Sequence, residues 1–157
     1  MFRNAICLPQ GLWALASTHG RISNDADRAH ARSLDLRDHG RSRASAAGER
    51  FDVVILDPPA LIKRRKDRES GLSAYHHLNQ LGMQLIAEDG LLVSASCSLH
   101  LERLELVDTL RRTSLNLKKG LQIVGYGHQG PDHPIHPAIN ETEYLKVIYS
   151  RINAKPI

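Results

Sequence analysis

The strongest constraint in this chain is the run Val53-Val54-Ile55-Leu56, apolar at every position and stopped by Asp57-Pro58-Pro59. A half-exposed strand alternates apolar and polar residues, so an unbroken β-branched run predicts a strand buried on both faces, as in a parallel sheet. Proline has no backbone N–H, so the Pro pair ends the ladder and turns the chain away from it. The residues that follow keep the same logic. Leu72, Tyr75, Leu78, Leu81, Leu85 and Ile86 recur at helical spacing, with Asp89-Gly90 as the predicted stop. Leu91-Leu92-Val93-Ser94-Ala95 reads as a second buried strand and ends in Ser96-Cys97-Ser98. Leu104, Val107 and Leu110 mark a second amphipathic helix, closed by Lys118-Lys119-Gly120. Residues 121–126 and 144–152 read as two further strands around a loop rich in Gly, Pro and His.

Strand, helix, strand, helix, strand, strand is the order of an α/β fold. Helical crossovers predict that the first three of these strands are parallel neighbours with right-handed connections, whereas the last pair, joined without a helix, is antiparallel. Ligands of open α/β sheets bind beyond the carboxyl ends of the strands. Asp57-Pro58-Pro59 and Ser96-Cys97-Ser98 both fall at such ends.

The first third of the chain is of another kind. Residues 1–50 hold 8 Arg, no Lys and 5 acids, and no Val at all; residues 51–157 hold 13 Lys plus Arg against 12 acids. Most of the net charge of +4 therefore lies ahead of the patterned region. Residues 5–16 are apolar but broken by Pro9 and Gly11, which leaves a short helix or strand. Residues 26–38 have the Ala and Arg content of a charged helix. The expected division is a poorly patterned segment over 1–47 and an α/β unit over 48–157. At 157 residues there is room for about one domain. No apolar run is long enough to span a membrane, and no secretory layout opens the chain. With only Cys7 and Cys97, far apart, a reduced cytoplasmic setting is expected.

Four groups of residues invite chemistry. Asp57 sets a carboxylate at a strand end beside two proline carbonyls that no ladder satisfies, although Asp-Pro also simply terminates strands. Cys97, between a strand and a helix, is placed where helix N–H groups would lower a thiol's pKa, with Ser96 and Ser98 available as caps. A buried, inert cysteine is the plainer alternative. Lys63, Arg64, Arg65, Lys66 and Arg68 can meet phosphates, or be a solvated loop. His128, His133 and His136 match no zinc spacing, and no metal is expected.

The segments FDVVILDPPALIKRRKD, GLSAYHHLNQLGMQLIAEDGLLVSASCS and DHPIHPAINETEYLKV together resemble bacterial large-subunit ribosomal RNA cytosine-C5 methyltransferases, over roughly residues 48–152. The resemblance implies the C-terminal part of a Rossmann-like class I methyltransferase domain, with S-adenosyl-L-methionine as cofactor and ribosomal RNA as partner. It implies Cys97 as nucleophile, Asp57 beside both cofactor and target base, and Asp57, Pro58 and Pro59 as cofactor-binding. With ribosomal RNA as the partner, the charges of Lys63, Arg64, Arg65, Lys66 and Arg68 are expected to bind it. Ala60 stands where amino-group methyltransferases usually carry an aromatic, which speaks against an exocyclic amine as target. The family's Gly-rich turn is not found in residues 1–47, where Gly11, Gly20 and Gly40 are scattered. The expectation is thus a sheet incomplete in its N-terminal half, with an antiparallel last strand. Two alternatives remain: an inactive RNA-binding or structural remnant, and a guanine methyltransferase in which Cys97 is incidental.

Overall fold

A computed structural model describes residues 4–9, 30–33 and 48–155. Their elements, in chain order, are β1 (Asn4–Pro9), β2 (His30–Ser33), β3 (Phe51–Asp57), α1 (Arg68–Leu85), β4 (Ile86–Ser96), α2 (Arg103–Asn116), β5 (Gly120–Gly127) and β6 (Lys146–Asn153). Short 3-10 turns at Arg65–Asp67 and Asn140–Thr142 precede α1 and β6. The six strands form one sheet in the order β2-β1-β3-β4-β6-β5. The four strands β2, β1, β3 and β4 are parallel, and β6 runs antiparallel to both β4 and β5. This is the α/β sheet with an antiparallel last strand that the pattern predicts, in the Rossmann-like arrangement that the resemblance implies.

Several local expectations are corrected. The strand at 121–126 is not a neighbour of β4, because β6 is inserted between them. Two antiparallel ladders satisfy the interior backbone of β6 on both sides, and β5 is left at the edge. The first helix ends at Leu85, and the strand begins at Ile86 rather than after Asp89-Gly90. Phe51 pairs with Ile86 and Val53 with Leu91, so residues 87–90 bulge out of the ladder, with Asp89 at φ 59°. Within 26–38, His30–Ser33 is a strand and not a helix, paired in register from Asn4↔His30 to Cys7↔Ser33. Within 5–16 the strand reading holds as far as Pro9; the rest of both segments lies outside the described residues.

The core explains why the apolar runs settle where they do. Val54, Leu56, Leu92, Ile148 and Ile152 are each at most 1% exposed and meet Tyr75, Leu78, Met83, Leu85, Leu106 and Leu110 from the helices. Gly82 lets α1 ride close on the sheet: a Cβ there would lie 2.9 Å from Leu56 Cδ1 and 3.2 Å from Leu92 Cδ1. Both crossovers advance in the same direction along the sheet, so connections of one hand put both helices on one face. There α1 and α2 pack on each other. The opposite face of β3 is only half covered, since Val53 and Ile55 are intermediate where Val54 and Leu56 are buried. Burial on both faces is therefore complete on one side alone among the described residues.

Candidate functional site

The chain leaves β1 toward β2 on one side of the sheet and toward β3 on the other, so strand order reverses between β1 and β3. Crevices of doubly wound sheets open at the carboxyl ends of strands at such a reversal. Here those ends are Pro9 and Asp57, which are register partners. Asp57 is exposed at this edge, Pro58 is buried and Pro59 exposed. Although the residue is exposed as a whole, partial desolvation of its carboxyl holds Asp57 above the usual carboxylate range. No hydrogen-bond or ion-pair partner satisfies it among the described residues.

The adjacent parallel strand, β4, delivers Cys97 to the same edge. Its Sγ faces the Pro58 carbonyl oxygen at 4.0 Å, so the two strand-end motifs meet in space. Cys97 is half-buried. Burial pushes its thiol pKa up and the Asp57 carboxylate adds to the rise, while its own backbone hydrogen bond and the Lys146 ammonium oppose it. The lowered thiol expected from a helix N-terminus is thus overturned. Glu102, not Ser96 or Ser98, is the N-cap of α2, and a reciprocal capping box with Glu105 satisfies N–H groups of its first turn.

Ser96 and Ser98 act elsewhere. The Tyr75 hydroxyl, on α1, lies 2.7 Å from Ser96 Oγ and 2.9 Å from Ser98 Oγ, so it bridges the residues on either side of Cys97. Ser98 Oγ also accepts the Ile62 N–H at 3.1 Å, and the Ser98 N–H donates to Ser96 Oγ at 3.1 Å. From β6, Lys146 Nζ donates to the Ser98 carbonyl at 2.7 Å. One buried network therefore fixes the Cys97 turn and the segment after Pro59. Tyr75 and Lys146 were not predicted as site residues. Tyr75 reads in sequence as one more apolar-face helix position, and Lys146 as one polar residue in a strand. Only the pairing of Ser96 with Lys146 across the β4–β6 ladder brings the ammonium here.

The basic segment divides. Lys63, Arg64, Arg65, Lys66 and Arg68 are all exposed. Arg64 Nε is paired with Asp67 at 3.0 Å, and Arg68 is paired with Glu105 across the α1–α2 contact. Arg68 consequently belongs to the groove between the helices, which it lines with Leu72, His76, Leu104 and Arg112. Lys63, Arg65 and Lys66 keep their charges free of carboxylate partners among the described residues. The loop between β5 and β6 projects from the site edge, since β6 begins where β4 ends, and its residues 130–141 are exposed throughout. The His133 and Tyr144 rings meet edge to face, with centroids 6.3 Å apart. His128, His133 and His136 do not form a ligand set: no cluster of three or more metal-ligating side chains occurs among the described residues.

No family model matches the chain. It is 45% identical over 102 residues to a candidate ribosomal RNA large subunit methyltransferase of Methanocaldococcus jannaschii, covering 65% of this chain and 26% of that protein. It is 36% identical over 111 residues to a ribosomal RNA large subunit methyltransferase of Deinococcus radiodurans, covering 68% and 26%. It is 33% identical over 105 residues to ribosomal RNA large subunit methyltransferase I of Shewanella denitrificans, covering 67% and 26%. The chain thus spans about a quarter of the length of the curated relatives it matches. Among solved structures, a candidate S-adenosylmethionine-dependent methyltransferase from Streptococcus mutans superposes with a TM-score of 0.60 at 16% identity, over 82% of this chain and 32% of that one. A phosphoethanolamine N-methyltransferase of Haemonchus contortus gives 0.57 at 11% identity, over 99% and 34%. Over two thirds of its length the chain is similar to ribosomal RNA large subunit methyltransferases, and its sheet has the fold of the solved methyltransferases.

Proposed function

We propose that this chain carries the catalytic edge of an S-adenosylmethionine-dependent methyltransferase that modifies cytosine C5 in ribosomal RNA. The single observation that carries the reading is the meeting of Asp57-Pro58 and Cys97 at the carboxyl ends of adjacent parallel strands, beside the strand-order reversal. In this reading residues 48–157 are the working unit, with residues 4–9 and 30–33 completing its sheet.

The residues present fit a sulfonium cofactor. An unpaired, partly buried carboxylate with a neighbouring carbonyl oxygen is an acceptor set suited to a cation and hostile to a second anion. Asp57, Pro58 and Pro59 would hold it. When bound, S-adenosylmethionine supplies an electrophilic methyl group.

Cytosine C5 is too weak a nucleophile to take that methyl unaided. Addition of the Cys97 thiolate to C6 forms a C–S bond and leaves C5 with enamine character. Asp57 at the N3 edge, sharing a proton with N3, offsets the charge that builds there during addition. When C5 takes the methyl group the sulfonium–methyl bond breaks, which would leave S-adenosylhomocysteine as the neutral product, and the C5 proton then passes to water. The C6–S bond then breaks and returns Cys97 as thiolate. Lys63, Arg65 and Lys66 contact phosphates on the approaching RNA, a role that fixes orientation and not sequence.

Nucleoside mass analysis of ribosomal RNA incubated with the chain and cofactor tests this. Methylation at cytosine C5 is expected, with at least a ~1000-fold loss in Cys97→Ala, as for removal of a covalent nucleophile. Undiminished transfer by that variant, or product on guanine, overturns the assignment. A binding-only remnant is the second reading, favoured by the absence of a Gly-x-Gly turn from residues 1–47. Isothermal titration with S-adenosylmethionine separates the two: the enzyme reading requires stoichiometric binding, and the remnant requires none.

A further inference from the structure

Lys146 is the least expected charge in the molecule. The residue is 7% exposed, and its partner across the β4–β6 ladder is Ser96. Burying an ammonium is costly, and burial holds its pKa below the usual lysine value. A fold that needed only a strand residue here could fill the position with Thr or Val, so the charge calls for a reason. The Ser98 carbonyl satisfies one of its three donors, at 2.7 Å.

The thiol beside it supplies the reason. Cys97 lies one residue before Ser98, and its thiolate is opposed by burial and by Asp57. A nucleophile in that setting is starved of its reactive form at neutral pH. Lys146 acts on Cys97 in the opposite sense to Asp57, and Cys97 in turn raises Lys146, with Glu143 raising and Arg103 lowering it as well. Tyr75, hydrogen-bonded to both flanking serines, is neutral at these pH values because burial holds its phenol above its usual range.

We propose that Lys146 is a positioning residue for the Cys97 nucleophile: its ammonium clamps the Ser98 carbonyl, one residue beyond the sulfur, and from there favours the Cys97 thiolate. The ionisation it favours is Cys97–SH plus water giving Cys97–S⁻ plus hydronium, so no co-reactant is required. The inference rests on the nucleophile reading above, yet it concerns an acid–base equilibrium that exists with no RNA or cofactor bound. It also gives the lysine of the Glu143-Tyr144-Leu145-Lys146 segment a job that its sequence position does not disclose.

The test is site-resolved alkylation of the whole chain by iodoacetamide as a function of pH, read at the Cys97 peptide by mass spectrometry so that Cys7 does not interfere. Lys146→Gln is expected to slow alkylation of Cys97 about tenfold near pH 8, equivalent to about one unit in the midpoint. Lys146→Arg, which keeps the charge, is expected to stay within about twofold of the parent. A purely structural lysine would give the reverse pattern, with Gln and Arg altering melting temperature but leaving the midpoint in place. Such an unchanged midpoint in folded Lys146→Gln overturns the proposal. Should that variant not fold, 15N NMR of the Lys146 ammonium in the parent provides the second measurement. Its titration should carry an inflection at the Cys97 midpoint that vanishes in Cys97→Ser, and a curve identical in both proteins also overturns the coupling. If the coupling is observed but Cys97→Ala still transfers methyl groups, the nucleophile reading fails while the Lys146–Cys97 pair stands.

Discussion

Asp57 ends a strand whose other side chains are half-buried or buried, and its carboxyl remains without a partner among the described residues. A carboxyl whose folded-state pKa is raised binds its proton more tightly when folded. It therefore contributes full stability below the ordinary carboxyl value of 3.8, and that contribution is lost as pH rises through the folded value. Asn cannot ionise, so Asp57→Asn is expected to raise the melting temperature near neutral pH and to have no such effect below about pH 3. Thermal melts at the two pH values check the sign; a destabilised variant at neutral pH would show that the carboxylate is held by an interaction and not merely tolerated. Tyr75 presents the opposite situation, a hydroxyl fully engaged by Ser96 and Ser98. Tyr75→Phe leaves both serines short of a partner and should cost about 1–3 kcal/mol in denaturant unfolding. Because those serines flank Cys97, the same variant should broaden the NMR signals of the Cys97 turn. Asp57 and Cys97 were legible in sequence as strand-end oddities. The direction of the Cys97 shift was not, because it depends on which groups burial brings near the sulfur.

At the scale of elements, α1 owes its place to two glycines on one face, Gly71 and Gly82. Gly71 is the tighter contact, since a Cβ there would meet the Ile62 side chain and sit 3.0 Å from the Leu61 carbonyl oxygen. Ala is the better helix former, yet the close approach outweighs propensity here. Gly71→Ala should destabilise the protein by about 1–3 kcal/mol and displace the segment after Pro59, loosening the Ile62 to Ser98 hydrogen bond. Hydrogen exchange at the Ile62 amide reads that displacement directly, and unaltered exchange would show that the segment yields without cost. For α2 the capping box of Glu102 and Glu105 replaces the serine cap that the sequence seemed to offer. Both serines lie too far upstream of Arg103 to reach the first turn, and Tyr75 had already engaged them. Periodicity located both helices well because it records which face is apolar. It misplaced the end of α1 because Ile86 fits the helical repeat and the strand equally.

For the whole molecule, the basic excess matters through its position. Once Arg64 and Arg68 are paired within the chain, three cations of this segment remain without a carboxylate partner among the described residues, Lys63, Arg65 and Lys66. Each phosphate neutralised on single-stranded RNA contributes about 0.7 to the slope of log affinity against log salt. Replacing all three by Ala should reduce that slope by about 2 and weaken binding similarly for unrelated sequences. Fluorescence anisotropy across a salt series measures both, and an unchanged slope would place the RNA path elsewhere. Arg68→Ala should barely alter the slope, since its charge is already met by Glu105. The face of the sheet opposite α1 and α2 carries Val53, Ile55, Leu91 and Val93, all half-buried. This gives the sheet one dry side and one partly covered side among the described residues.

The sequence by itself determined that residues 51 onward alternate strand and helix as α/β chains do, and that Asp57 and Cys97 stand at strand ends. Those facts follow from local periodicity, from β-branched runs and from prolines that cannot donate to a ladder. Tertiary structure alone decided that β6 lies between β4 and β5 and that β1 abuts β3 at the strand reversal. It alone decided that Lys146 reaches the Ser98 carbonyl and that burial raises the Cys97 thiol. The physical reason is range. A chain's apolar rhythm is set by neighbours three or four residues away, whereas the charge around a sulfur is set by residues 40 to 50 positions distant, such as Asp57 and Lys146, that only sheet pairing brings together.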